Sequence, residues 1–251
     1  MSGSVEVNGA TLFYEEGGSG VPLILLHGGL ASGVVWQPAA ERLDDEFRVV
    51  RPDSRGHGRS SNPAGVLSYT QLADDVAGVV GALELERPIV AGWSDGGQVA
   101  MELGVRHPGV ASALVIGGAY PDFISSGLRN AHLELLGEIK GDPDDEVAEL
   151  ASLHRDWPGL LRDTEGMWLG YEGLGDQDLS RISDPVLVLG GDRDKLIRLD
   201  LIIDMHRRLV GSELAVCPAA DHSAPMTPER AAVFADVIGD FARRHMPAHA
   251  T

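Results

Sequence analysis

A serine set between glycines, Gly92-Trp93-Ser94-Asp95-Gly96-Gly97, follows the short apolar run Ile89-Val90-Ala91. Val99, Ala100 and Leu103 then fall at helical spacing. Strand, G-x-S-x-G, helix is the context in which that motif marks a nucleophile elbow, with the hydroxyl held out at the end of a strand. The plain alternative is an ordinary glycine-rich turn between strand and helix. A serine hydroxyl is a weak nucleophile until a base removes its proton. Two later stretches supply what it needs. Gly190-Gly191-Asp192-Arg193-Asp194 closes the apolar run 185–189, and Asp221-His222 follows the run 213–217. Serine, then aspartate, then histidine is the chain order of a triad in which histidine acts as base and aspartate fixes its tautomer. At this level Asp192 and Asp194 both qualify as the acid.

The elements that must position these groups can be read from apolar patterning. Asn8-Gly9 between 5–7 and 11–14 predicts a β-hairpin with a type I′ turn. The unbroken run Pro22 to Leu26 predicts an interior parallel strand, ending in His27-Gly28-Gly29. A helix over 36–43, a strand over 47–51 and a helix over 69–85 follow. The last places Leu72, Val76, Val79, Val80 and Leu83 on one face. After the elbow come a strand at 113–116, and later a strand at 185–189, a helix at 200–209 and a strand at 213–217. A final helix over 228–243 presents Val233, Phe234, Val237, Ile238 and Phe241 as its buried face. This alternation implies an α/β fold, a mostly parallel, doubly wound sheet whose sites lie at the carboxyl ends of the strands. Residues 120–183 break the rhythm. They are charged and helical, broken at Gly141-Asp142-Pro143, Pro158-Gly159 and Gly173. They form an inserted helical cap that divides the core into 1–119 and 184–251.

HGG at 27–29, DxRGHGxS at 53–60, GWSDGG at 92–97, GDRD at 191–194 and DHS at 221–223 stand in one order along the chain. In that order they resemble the α/β-hydrolase superfamily from end to end. The resemblance implies Ser94 as nucleophile, His222 as base and Asp194 as acid, with Asp192 the second choice. It implies an oxyanion hole made by the backbone N–H groups of Asp95 and Gly29, and gives His27 and His57 structural roles. GWSDGG also resembles the α-amino-acid ester hydrolases of the valacyclovir hydrolase type, in which the aspartate after the serine receives a substrate amine. For Asp95 the competing reading is an acidic residue that favours the first turn of a helix. Trp157 and Trp168, with Tyr171, either form an apolar lid over the substrate or hold the cap to the core.

Composition narrows the class. The 251 residues carry 38 acidic and 20 basic side chains, a formal net charge of −18. That balance argues against nucleic acid or an anionic membrane as partner and leaves a small-molecule substrate. The single cysteine, Cys217, allows no internal disulfide. The N-terminus lacks the basic start and apolar core of a signal peptide, so the expected setting is cytoplasmic. His107, His132, His154, His206, His245 and His249 show no metal-ligand spacing and are expected at the surface or in packing. No cofactor is implied, and no feature sets an oligomeric state. The expectation is a serine hydrolase of a small carboxylic ester, an α-amino-acid ester included. Its rivals are a lactonase, amidase or C–C bond hydrolase on the same triad, an enzyme whose acyl donor rides on a carrier protein, and a hydrolase-fold protein that binds without turnover.

Overall fold

The computed structural model describes residues 1–141 and 145–246. Its opening hairpin joins β1 (Ser2–Val7) to β2 (Ala10–Gly17) through Asn8 and Gly9, with φ of 48° and 74° as a type I′ turn requires. The chain continues through β3 (Val21–Leu26), α1 (Gln37–Leu43), β4 (Phe47–Pro52), α2 (Tyr69–Ala82), β5 (Ile89–Trp93), α3 (Asp95–Arg106) and β6 (Ala113–Gly117). Between β6 and the next strand lie helices α4 (Leu128–Gly141), α5 (Asp145–Ser152), α6 (Trp157–Gly170) and α7 (Asp176–Leu179). The sheet resumes with β7 (Val186–Gly191), then α8 (Leu199–Arg208), β8 (Glu213–Cys217) and α9 (Pro228–Arg244). The expected break at Asp142-Pro143 and His249 fall outside the described residues.

The eight strands form one sheet in the order β1-β2-β4-β3-β5-β6-β7-β8. Pairing is antiparallel from β1 through β2 to β4 and parallel from there onward. Both faces are covered over the central strands β3, β5, β6 and β7, which explains why these are apolar throughout, whereas the edge strands β1 and β8 alternate. Leu23 and Leu25 of β3 face a core built with α1 and α9, while Ile24 and Leu26 face one built with α2, α3 and the cap helices. On α9, Phe234, Ile238 and Phe241 are buried as expected, whereas Val233 and Val237 lie at the margin; Ala231, Ala235 and Ala242 complete the contact face. β4 lies on one side of β3 and β5 on the other, and their connections pack on opposite faces, so the chain reverses its winding here. That switch opens a crevice at the carboxyl ends of β3 and β5, where doubly wound sheets bind ligands. Among the described residues no helix is long and apolar enough to cross a membrane.

Candidate active site

Ser94 follows β5 directly and sits at φ 57°, ψ −122°, a conformation a side-chain-bearing residue seldom adopts. Its N–H donates to the Gly117 carbonyl at 2.9 Å, which fixes the turn against β6. The turn is tight enough that a Cβ on Gly92 would lie 2.0 Å from the Gly96 carbonyl oxygen. Only glycine fits there. Because α3 begins at Asp95, that residue's N–H has no acceptor inside the helix and faces the crevice end.

Three of the expected residues meet in one hydrogen-bonded chain. Ser94 Oγ donates to His222 Nε2 at 2.9 Å, and His222 Nδ1 donates to Asp194 Oδ2 at 2.7 Å. The other Asp194 oxygen accepts from the N–H groups of Leu196 and Ile197, both at 2.9 Å. The side chain of Asp194 is only 1% exposed, so its orientation is set from both sides. Asp192 is turned away and accepts from the Ala220 N–H at 3.2 Å, tying its turn to the loop that carries His222. Trp93 donates its indole N–H to the His222 carbonyl at 2.9 Å, anchoring that loop to the strand before the serine.

His27 braces the opposite wall. Its Nδ1 donates to the Gly28 carbonyl at 2.8 Å and its Nε2 accepts from the Ser54 N–H at 2.9 Å, a pattern that requires the neutral ring. Burial pushes its pKa down, against the pull of the Gly28 bond and of the Asp53 and Asp95 carboxylates. His57 donates to the Arg55 carbonyl at 3.0 Å and packs on His27. His154 of the cap accepts from the Gly58 N–H at 2.8 Å and donates to the Leu30 carbonyl at 2.9 Å. It pins the cap to both loops.

Asp95 is buried, and its carboxylate is already engaged. Tyr69 donates its hydroxyl at 2.5 Å, and the Trp168 indole N–H approaches the two oxygens at 3.1 and 3.2 Å. A Cβ on Gly29 would lie 2.4 Å from Asp95 Oδ2, so the carboxylate packs directly under the 27–29 turn. Burial and the adjacent carboxylate push the Tyr69 pKa well above its ordinary range, keeping it a donor. Trp168 lines the crevice, but Trp157 does not: it is partly buried and stacks on His154. Tyr171 is half-buried between cap and core, donating to Glu102 at 3.0 Å and accepting from Gln98 at 2.7 Å. Of the three cap aromatics, only Trp168 therefore faces the cavity beside Ser94.

That cavity measures about 730 Å³ and reaches Ser94, Gly29 and His222. Its wall is mostly apolar, with Leu30, Val34, Leu135, Ile139, Leu150 and Leu153 prominent. No lysine or arginine stands among its described lining residues. His132 does, a residue that sequence spacing assigned to surface or packing. A lone histidine on an apolar helix carries no signal of the cavity that helix will face. Among the described residues no cluster of three or more His, Cys, Asp or Glu could hold a metal ion.

A model of the alpha/beta hydrolase family matches residues 23–237. The chain belongs to the alpha/beta hydrolase family. The relatives of this alpha/beta hydrolase include 2-hydroxymuconate semialdehyde hydrolase of Pseudomonas sp., 28% identical over 251 residues and covering 90% of this chain and 88% of the relative. Pimeloyl-[acyl-carrier protein] methyl ester esterase of Vibrio atlanticus is 27% identical over 266 residues, covering 93% and 99%. Among solved structures, a thermophilic esterase from Thermogutta terrifontis superposes with a TM-score of 0.82 at 23% identity, covering 97% of each chain.

Proposed function

We propose that the protein is a serine hydrolase of small, uncharged carboxylic esters, with Ser94, His222 and Asp194 as its catalytic triad. The hydrogen-bonded chain from Ser94 Oγ through His222 to the doubly anchored Asp194 carries the reading. As Oγ attacks the ester carbonyl, His222 Nε2 takes its proton, and Asp194 stabilises the imidazolium that results. The N–H groups of Asp95 and Gly29 receive the oxyanion, each such donor contributing about 3–4 kcal/mol to the transition state. His222 then protonates the departing alcohol. It next deprotonates the water that releases the acid from Ser94.

The cavity supports an ester whose two halves are both uncharged. A substrate carrying its own carboxylate would meet an apolar wall with no lysine or arginine among the described lining residues. An unpaired charge in such a place costs several kcal/mol. The ammonium of an α-amino-acid ester would have to reach Asp95, whose oxygens are occupied by Tyr69 and Trp168. The space beside it is a void of about 10 Å³, no more than one water. An esterase among the relatives favours the same chemistry. Two measurements test it. Ser94→Ala should lower ester turnover by about 10⁶-fold, and a fluorophosphonate should label the native protein at Ser94 alone. Methyl 3-methylbutyrate should be cleaved at least as well as the methyl ester of valine. A strong preference for the amine, lost in Asp95→Asn, would overturn the uncharged-ester reading.

A further inference from the structure

The main cavity and the small void behind it share two of their described lining residues, Ser94 and His132. His132 stands in the second turn of α4 and is only 4% exposed. Its Nδ1 lies 2.8 Å from the Leu128 carbonyl, so Nδ1 bears the proton and Nε2 bears the lone pair. Trp168 and Phe123 hold the ring, with centroids at 4.8 and 4.9 Å. Nε2 has no hydrogen-bond partner among the described residues. Because it opens onto the cavity, a ligand that covers it without offering a donor leaves it unpaired, and a site with such an acceptor discriminates against ligands that cannot supply the donor. We infer that His132 is a specificity residue that accepts a hydrogen bond from a hydroxyl on the acyl chain, so that the preferred substrates are esters of hydroxylated acids. This rests on Ser94 being the nucleophile. The alcohol half must lie at His222, which protonates it. The acyl half then lies in the main cavity on the side of Ser94 that His132 lines, since the void behind holds no more than one water.

Burial holds the His132 ring neutral by lowering its pKa, although Asp95 and the Leu128 bond pull the other way. An acceptor, not a cation, is thus presented to the substrate. The test measures release of acid from methyl butyrate, methyl 2-hydroxybutyrate and methyl 3-hydroxybutyrate by wild type and by His132→Phe. Each kcat/KM is taken relative to butyrate in the same sample, which cancels any inactive fraction, and comparing that ratio between the two enzymes cancels the intrinsic reactivity of each ester. For at least one hydroxy ester the ratio should fall about tenfold in His132→Phe, the weight of one neutral hydrogen bond. His132→Gln, which can place an amide oxygen near the same point, should restore part of it. A second readout needs only wild type: the matching hydroxybutyramide should inhibit about tenfold more tightly than butyramide. Cleavage of all three esters with unchanged ratios, or equal inhibition by the amides, overturns the role of His132 and leaves the hydrolase reading standing. No cleavage of any ester, with Ser94 inert to fluorophosphonate, overturns both.

Discussion

Asp95 shows how one side chain can be legible in type and hidden in purpose. An acidic residue beside a developing oxyanion raises the barrier unless something offsets its charge. In the proposed reaction the hydroxyl of Tyr69 and the indole N–H of Trp168 would supply that offset without a substrate cation. Removing one donor leaves a buried carboxylate short of a partner. Tyr69→Phe should therefore lower unfolding free energy by about 1–3 kcal/mol in urea denaturation. At the far end of the proposed triad, Asp194→Asn should leave the fold intact and reduce kcat by about 10⁴-fold, because the wrong histidine tautomer then faces Ser94. The positions of Ser94, Asp194 and His222 could be read from sequence because each follows an apolar run that had to be a strand. Between Asp194 and Asp192 only a family pattern pointed to Asp194, the carboxylate that pairs with His222 in the structure. The partners of Asp95 and the placement of His132 could not be read, because they depend on how the helices that carry Tyr69, His132 and Trp168, the first 26 and the last 73 residues from Asp95, settle on the core.

The central strands were the easiest elements to foresee, since a sheet covered on both faces demands unbroken apolar runs there. Helix ends were harder. The second helix stops at Ala82, and Leu83 turns back to pack at the edge of the core. The loops around the serine have a property of their own. His27 from the first turn, His57 from the 53–60 loop and His154 from the cap are packed side by side, each with its pKa lowered chiefly by burial. His57 is held well below the ordinary 6.5. The folded state keeps these rings neutral, whereas the unfolded chain protonates them as pH falls through about 6.5. Their contribution to stability is complete above that value and declines toward their depressed folded pKa values. Urea midpoints should consequently fall between pH 7.5 and pH 5.5, above the range of ordinary carboxylates, and His57→Gln should flatten that slope.

Across the whole molecule, charge is the dominant long-range quantity. With a formal net charge of −18, self-repulsion outweighs the exposed ion pairs Arg42–Asp236 and Arg243–Glu46, whose partners are each 43–58% exposed. Raising ionic strength from about 0.01 to 0.15 M shortens the screening length from about 30 to about 8 Å. Thermal melts should show Tm rising over that interval; a fall would mean that the surface pairs prevail. The junction at Asp95 carries a separate implication for exchange between homologous scaffolds. Trp168 belongs to the cap, Tyr69 to α2 and Asp95 to the elbow, yet they form one hydrogen-bonded knot. A foreign cap grafted at 120–183 without the indole would strand a carboxylate beneath the 27–29 turn. The transplantable module is therefore discontinuous: the inserted helices together with positions 69 and 95, which must travel with them.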